Sequence, residues 1–254
     1  MTDLPAVLVT GGAKRIGRSI ATDLAGRGYP VAIHANSSID DAEALSDQLL
    51  LDGCKAAAVS ADLMDVEATG QLVADAAEAL GMPIRLLVNN ASVFENDAVT
   101  DFTQAQFDRH MRVHVGAPAQ LAQALVGELG DGAEALIVNI IDQRVKRLTP
   151  NFFTYTLSKS TQWAMTQTMA QALAPNVRVN AIGPGPTLKN VRQADEDFAK
   201  QVAAVPLRRG PSLDEFAATI AYFWEARSVT GQMIALDGGQ HLAWETPDVV
   251  GINE

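Results

Sequence analysis

The 254-residue sequence predicts an α/β fold, a single doubly wound three-layer sandwich built on a mostly parallel seven-stranded sheet. Short apolar runs alternate with longer stretches of helical period, which is the rhythm of parallel strands joined by crossover helices. The runs are apolar at every position rather than at every second one, so both faces of each strand are expected to be covered by helices. Residues 6–10 read as the first strand, 16–28 as a helix and 31–34 as the second strand, each near the length of a βαβ unit. A helix over 41–51, a strand over 56–60, a helix over 66–80 and a strand over 84–89 follow. The second half continues with a helix over 115–129, a strand over 135–141, a helix over 155–174, a strand over 177–181, a helix over 213–225 and a last strand over 232–236.

No fixed-period repeat, low-complexity run or linker divides the chain, so residues 1–254 are expected to form one domain. Residues 183–209 break the rhythm: they open with GPGPT, carry mixed charge and end with PLRRG. They follow a strand at the carboxyl edge of the sheet, where ligands bind in open α/β folds, and are read as a substrate lid, with plain connection as the alternative.

Composition narrows the function classes. A formal net charge of -11 repels any polyanion, so nucleic acid is not an expected partner. The single cysteine, Cys54, can form no internal disulfide and has no neighbour at metal-ligand spacing, so no metal is expected and a reducing, cytoplasmic setting fits. The first residues, MTDLPAVLVTGG, run into a strand pattern with no signal-peptide features. No apolar run approaches the roughly 18 residues that span a bilayer, and no membrane association is expected.

The stretch Val9-Thr10-Gly11-Gly12-Ala13-Lys14-Arg15-Ile16-Gly17 lies between the first strand and the first helix. Glycine lets the backbone turn tightly and approach a pyrophosphate, while a helix amino end offers unpaired N–H groups and a partial positive charge. A dinucleotide site is one reading of this position, and an ordinary loop closed by glycines is the other. NAD-binding proteins usually place an acid against the ribose 2'-hydroxyl at the end of the second strand, but here stand His34-Ala35-Asn36-Ser37-Ser38, with no carboxylate before Asp40. Lys14 and Arg15 add positive charge and Asn36, Ser37 and Ser38 offer donors to a 2'-phosphate, so NADPH is the expected cofactor. Acceptance of NAD(H) as well, with Lys14 and Arg15 merely solvated, is the plainer alternative.

Tyr155 and Lys159 are four apart on a predicted helix and therefore share a face. A free tyrosine, with a pKa of about 10, is a reluctant base at neutral pH. An adjacent ammonium stabilises phenolate and moves the pair toward useful proton transfer. On spacing alone, a surface tyrosine beside a solvated lysine is an equal reading.

Taken together, TGGAKRIG from Thr10, Asp62, NNAS from Asn89 to Ser92, YTLSK from Tyr155 and NAIGPGPT from Asn180 occur in a fixed order. From Val7 through Leu236-Asp237-Gly238-Gly239 the chain resembles the short-chain dehydrogenase/reductase family. The resemblance implies a Rossmann fold and an NADP(H)-dependent oxidoreductase acting on a small molecule. It implies cofactor contacts from Gly11, Lys14, Arg15 and Ile16 in the turn, from His34, Asn36, Ser37 and Ser38 at the ribose, and from Asp62 and Leu63 at adenine. Asn90, Ala91 and Ser92 would line the cofactor, Lys159 would hold the nicotinamide ribose, and Pro184, Gly185 and Thr187 would contact the nicotinamide side. A homo-oligomer, tetramer or dimer, is implied on the same ground.

Two departures narrow the resemblance. Asp142 stands thirteen residues before the tyrosine, where most members carry serine, and Arg15 replaces the usual middle glycine of the turn. Both departures resemble pteridine reductases and the related dihydromonapterin reductases, as do TGxxxRIGRSIA, the histidine ending the second strand and NNASVF with Phe94. In that subfamily the aromatic residue sandwiches a pterin against nicotinamide, the arginine contacts cofactor phosphate and substrate, and the aspartate joins tyrosine and lysine in proton delivery. Phe94, Arg15, Asp142 and Tyr155 are thus the expected substrate contacts, and Asp142, Tyr155 and Lys159 the expected catalytic set. A serine hydroxyl suits a carbonyl oxygen, whereas a C=N bond needs a proton brought to nitrogen, which a carboxyl group can relay. Asp142 as an anionic partner for the N–H-rich edge of a pterin, or as a silent partner of Lys159 or Arg144, are the other readings.

His114 occupies the place where many relatives have a catalytic asparagine; either its ring serves a water-linked proton route or the backbone carbonyl does so alone. His34 and His110 read as structural or cofactor-facing. The tail 241–245, with Trp244, could cap a pocket, meet a neighbouring subunit or cover its own core. A pterin C=N reductase is the leading expectation. A carbonyl or 3-oxoacyl reductase and a catalytically idle NADP(H)-binding sensor are its rivals.

Overall fold

The computed structural model describes residues 4–190, 193–246 and 248–251. Seven strands, β1 (Ala6–Val9), β2 (Val31–Ala35), β3 (Ala56–Ser60), β4 (Ile84–Asn89), β5 (Ala135–Ile140), β6 (Val177–Pro184) and β7 (Met233–Leu236), form one sheet in the order β3-β2-β1-β4-β5-β6-β7. Every pair is parallel, so the sheet is more uniform than the mostly parallel one expected. Chain direction across the sheet reverses between β1 and β4, which places the switch-point crevice beyond their carboxyl ends.

Alternation within single strands makes the three layers. Val7 and Val9 of β1 face a core shared with helices α1 (Arg15–Gly26), α2 (Ile39–Leu51) and α8 (Asp214–Glu225). Ala6 and Leu8 face the opposite core, with α3 (Val66–Leu80), α5 (Ala117–Glu128) and α6 (Phe153–Ala172). A strand sandwiched this way gains about 25 cal/mol per Å² of apolar area on both sides, which explains why its sequence is apolar throughout.

Two helices go beyond the sequence reading. Helix α4 (Gln104–Met111) is closed by a capping box between Thr103 and Gln106, and it buries only His110, so it carries almost no apolar stripe. It runs through a π-helical segment, Arg112–Gly116, into α5; the single helix expected over 115–129 is therefore the second part of a longer, bulged one. Helix α7 (Asp195–Ala203) lies inside the segment read as a lid and has no buried residue. Residues 191 and 192 of that segment lie outside the described residues. Among the described residues no helix is long and apolar enough to cross a membrane.

Candidate active site

The chain leaves β1 through Thr10–Lys14 and enters α1 against the end of β4. Gly11 takes a left-handed φ of +60°, and a Cβ on Gly17 would lie 2.1 Å from the Gly11 carbonyl oxygen and 2.5 Å from Asn90 Nδ2. Only glycine permits that approach of helix to turn. Asn90 braces it: its side-chain amide donates to the carbonyls of Thr10 (2.9 Å) and Gly11 (3.1 Å). In return the Thr10 hydroxyl accepts the backbone N–H groups of Asn90 and Ala91, each at 3.0 Å.

His34 is a second brace. Its ring is buried; Nδ1 accepts the Gly11 N–H at 3.2 Å, so Nε2 carries the proton and donates to the Ala61 carbonyl at 3.1 Å. Burial lowers its pKa below the ordinary value and keeps it neutral. The sequence reads His34 as structural or cofactor-facing; both ring nitrogens are spent on backbone. Its part is to hold the glycine turn against β3.

The amino end of α1 has no side-chain cap and no acidic residue in its first turn, so its N–H groups are left for an anion. Asn36 and Ser37 are exposed beyond β2, and Lys14 meets Asp41 at 2.9 Å in an exposed ion pair of little strength. Asp62, exposed at the end of β3, orients its carboxylate by accepting the Met64 N–H at 2.9 Å, while Leu63 is buried beside it. These residues fit a phosphorylated dinucleotide: a glycine cradle, an uncapped helix end, and polar or basic groups where an acid would repel a 2'-phosphate. Arg15 holds a left-handed φ of 53°, unusual for a residue with a Cβ and costing about 1–2 kcal/mol. From there its guanidinium donates to the carbonyls of Leu188 (3.3 Å) and Lys189 (3.1 Å), tying the turn to the segment after β6. Gly185, in that segment, packs so tightly that a Cβ would lie 2.6 Å from Asp237 Cα, and the Thr187 hydroxyl donates to the Gly185 carbonyl at 3.1 Å.

The expected phenol, amine and acid converge at the carboxyl ends of β5 and β6. The Tyr155 hydroxyl donates to Asp142 Oδ2 at 3.0 Å, and Asp142 Oδ1 accepts the Arg144 N–H at 2.8 Å. Lys159, also buried, directs Nζ to the Ile140 carbonyl (2.9 Å) and to Gln162 Oε1 (3.1 Å), 5.8 Å from the centre of the Tyr155 ring. Among the described residues Asp142 forms no ion pair with Lys159 or with the Arg144 guanidinium. The carboxylate is aimed at the phenol.

Electrostatics correct one expectation. The spacing predicts a phenol made more acidic by lysine, yet burial first, and then the charge of Asp142, push the Tyr155 pKa well above its ordinary value, with Arg144 opposing. At neutral pH Tyr155 holds its proton and can only give it. Burial lowers Lys159 to about 7, against the opposing pull of Asp142. Gln162, which carried no signal in the sequence, accepts from this ammonium and so favours its charged form. The ammonium is present below about 7 and is lost as pH rises through that value. Gln162→Leu is expected to move the alkaline limb of the pH–kcat/KM profile to lower pH and Gln162→Glu to move it higher; coincident profiles would refute the assignment.

Beneath the Tyr155 ring lies a bed of histidines. His114, in the π-helical segment, is fully buried; Nε2 accepts the Val93 N–H at 3.2 Å, and Nδ1 lies 2.8 Å from Ser158 Oγ, whose hydroxyl donates to the Tyr155 carbonyl at 2.7 Å. The Ser92 hydroxyl also meets Nε2, at 2.9 Å. With both nitrogens engaged and its pKa lowered well below normal by burial and by Lys159, the His114 ring braces residues 92–93 against α6 as a neutral group. His110 Nδ1 lies 2.8 Å from Thr154 Oγ1, and the Thr154 hydroxyl bonds to Asp97 Oδ2. Asp97 also accepts the Thr154 N–H at 3.1 Å, which caps the amino end of the helix that carries Tyr155 and Lys159.

The substrate face is aromatic. Phe94 stacks on Phe152 with centroids 4.5 Å apart and planes 15° apart, and it meets the edge of Tyr155 at 4.8 Å. Phe152 reaches this position through a left-handed φ of 56° just before α6. Backbone strain of this kind persists where surrounding packing over-determines it, often at functional sites.

Comparison with known proteins agrees with this geometry. A family model described as short chain dehydrogenase matches residues 5–200. The chain is similar to the crystal structure of FolM alternative dihydrofolate reductase 1 of Brucella canis complexed with NADP, at 55% identity, covering 98% of this chain and 99% of that one with a TM-score of 0.94. The Brucella suis FolM alternative dihydrofolate reductase 1, in complex with NADP, is 54% identical, with 98% and 100% covered and a TM-score of 0.95. A 3-oxoacyl-[acyl-carrier-protein] reductase of Staphylococcus epidermidis is 26% identical over 93% of this chain and 99% of its own. The chain belongs to the short-chain dehydrogenase family and is an oxidoreductase.

Proposed function

We propose that this protein is an NADPH-dependent reductase of a pterin, adding hydride and a proton across a C=N bond of a dihydropteridine or dihydrofolate. The observation that carries the reading is the 3.0 Å hydrogen bond from the Tyr155 hydroxyl to Asp142, a carboxyl group where a carbonyl reductase of this kind would hold serine. The two Brucella structures, similar over 98% of the chain, support it through their description as alternative dihydrofolate reductases. NADP(H) is the cofactor, in keeping with the glycine cradle, the absence of an acid from residues 36–38 directly after β2 and the NADP carried by those structures.

When bound, NADPH supplies the hydride. The residues of this chain orient the substrate and deliver the proton. Phe94 offers a ring face to a flat heterocycle beside Tyr155, whose raised pKa keeps its proton in place until the substrate nitrogen becomes basic. Transfer leaves a phenolate, which the Lys159 ammonium and Arg144 stabilise. Asp142 keeps the hydroxyl aimed and returns a proton to it from solvent. Arg15 holds the segment after β6 against the turn on the cofactor side.

The purified enzyme is expected to oxidise NADPH with 7,8-dihydrobiopterin or dihydrofolate and to reduce simple ketones poorly. A carbonyl or 3-oxoacyl reductase is the second reading, favoured by the Staphylococcus relative. Reduction of an acetoacetyl thioester with no turnover of either dihydropterin would establish that reading instead.

A further inference from the structure

Arg144 carries a cation whose partners are aromatic rings rather than acids. Half-buried beyond β5, its guanidinium carbon lies 4.8 Å from the centre of the Phe152 ring and 5.5 Å from that of Phe94. Only its backbone N–H reaches Asp142. Among the described residues the guanidinium makes no ion pair and no hydrogen bond. The acids on the neighbouring segments are already engaged: Asp142 by Tyr155, Glu95 by Arg109 at 2.8 Å, and Asp97 by Thr154.

A guanidinium set against ring faces keeps its in-plane N–H donors available, and that fork matches a carboxylate in two parallel bonds. Partial burial leaves fewer waters to satisfy those donors, which favours an acceptor brought by a ligand. Arg15, a further arginine at the crevice among the described residues, spends its guanidinium on the carbonyls of Leu188 and Lys189. Arg144 also stands close enough to Tyr155 to oppose the rise in its pKa, which places it on the reacting side of the site.

We propose that Arg144, backed by Phe152 and Phe94, binds a carboxylate carried by the substrate's side chain, so that the preferred substrate is a flat ring bearing an acidic aromatic extension. The proposal rests on the pterin reading above and deepens it: a pterin with a carboxylated aryl tail is favoured over one with a neutral tail.

The test is calorimetric titration of the NADP⁺-loaded enzyme with p-aminobenzoylglutamate and with its uncharged diamide. The wild type is expected to bind the acid about tenfold or more tightly than the diamide, the worth of a charge-assisted bond pair, and Arg144→Gln to bring the ratio near one. Arg144→Met, which keeps the contact with the rings, is expected to do the same and covers the case in which the glutamine variant fails to fold. A wild type without preference, including one that binds neither probe, or a variant that keeps the wild-type ratio, overturns the proposal. NADPH oxidation with dihydrofolate and with a dihydropterin lacking the tail reads the parent proposal separately: failure of both beside an intact carboxylate preference would remove the pterin and leave only a carboxylate site at Arg144.

Discussion

Tyr155→Phe is expected to lower NADPH-dependent reduction by about 10²- to 10⁴-fold, the range of a well-placed proton donor, with cofactor affinity nearly unchanged. The substitution removes one oxygen, the donor to Asp142 at 3.0 Å. It leaves the ring, which packs edge-on against Phe94 at 4.8 Å and against His110 and His114 at 5.9 and 5.4 Å, so the aromatic wall and the histidine bed remain filled. Lys159 keeps its own anchors at Ile140 and Gln162 and does not depend on the phenol for its position. A loss of rate without loss of binding therefore isolates proton delivery. The pH profile sharpens the test: with Tyr155 raised well above its usual pKa, the hydroxyl stays protonated through the working range, and the wild-type alkaline limb belongs to Lys159 at about 7. Steady-state rates and NADPH fluorescence titration measure the two quantities. A variant within tenfold of wild type would show that the proton comes from another group.

The sheet and its order of elements are legible in the sequence because the cause is local. A strand buried on both faces must be apolar at successive positions, and Val7, Leu8 and Val9 carry that requirement on their face. The glycine turn and the Tyr155–Lys159 pair are legible through spacing along one strand end or one helix, whereas Asp142 is legible only through the resemblance to pteridine reductases. The supports are not. Asp97 caps α6 from 57 residues away, and Arg144 is recognised only once Phe94 and Phe152 stack beside it. Helix α4 offered a readable capping box at Thr103 and Gln106, but it buries one residue, so the periodicity that identifies helices is absent. The direction of the Tyr155 shift was hidden for a different reason: spacing reports which charges are near and says nothing of burial, the largest cause here. His34 stayed between a structural and a cofactor-facing role because a ring at a strand end can face a ligand or the backbone, and the fold turns its nitrogens to backbone.

Gly17→Ala is expected to abolish high-affinity NADP(H) binding and to lower stability by about 1–3 kcal/mol, the usual cost of overpacking a closed site. Two effects oppose each other. Alanine improves helix propensity by about 1 kcal/mol over glycine, and Gly17 lies inside α1. Against this, the new Cβ would fall 2.1 Å from the Gly11 oxygen, 2.5 Å from Asn90 Nδ2 and 2.9 Å from the Gly11 carbonyl carbon. Two of these three atoms are backbone of the turn, and Asn90 is the amide that holds it through Thr10 and Gly11. Relief requires α1 to swing away from β4 or the turn to open, and either motion disperses the N–H groups that would face a pyrophosphate. Gly26→Ala supplies the internal control: it sits in the same helix, exposed, with nothing within 4 Å of the added Cβ, so it gains helix propensity without a clash. Its melting temperature is expected to equal or exceed the wild type and its NADP⁺ affinity to stay unchanged. Should Gly17→Ala bind NADP⁺ as the wild type does, the dinucleotide would have to sit elsewhere than against the amino end of α1.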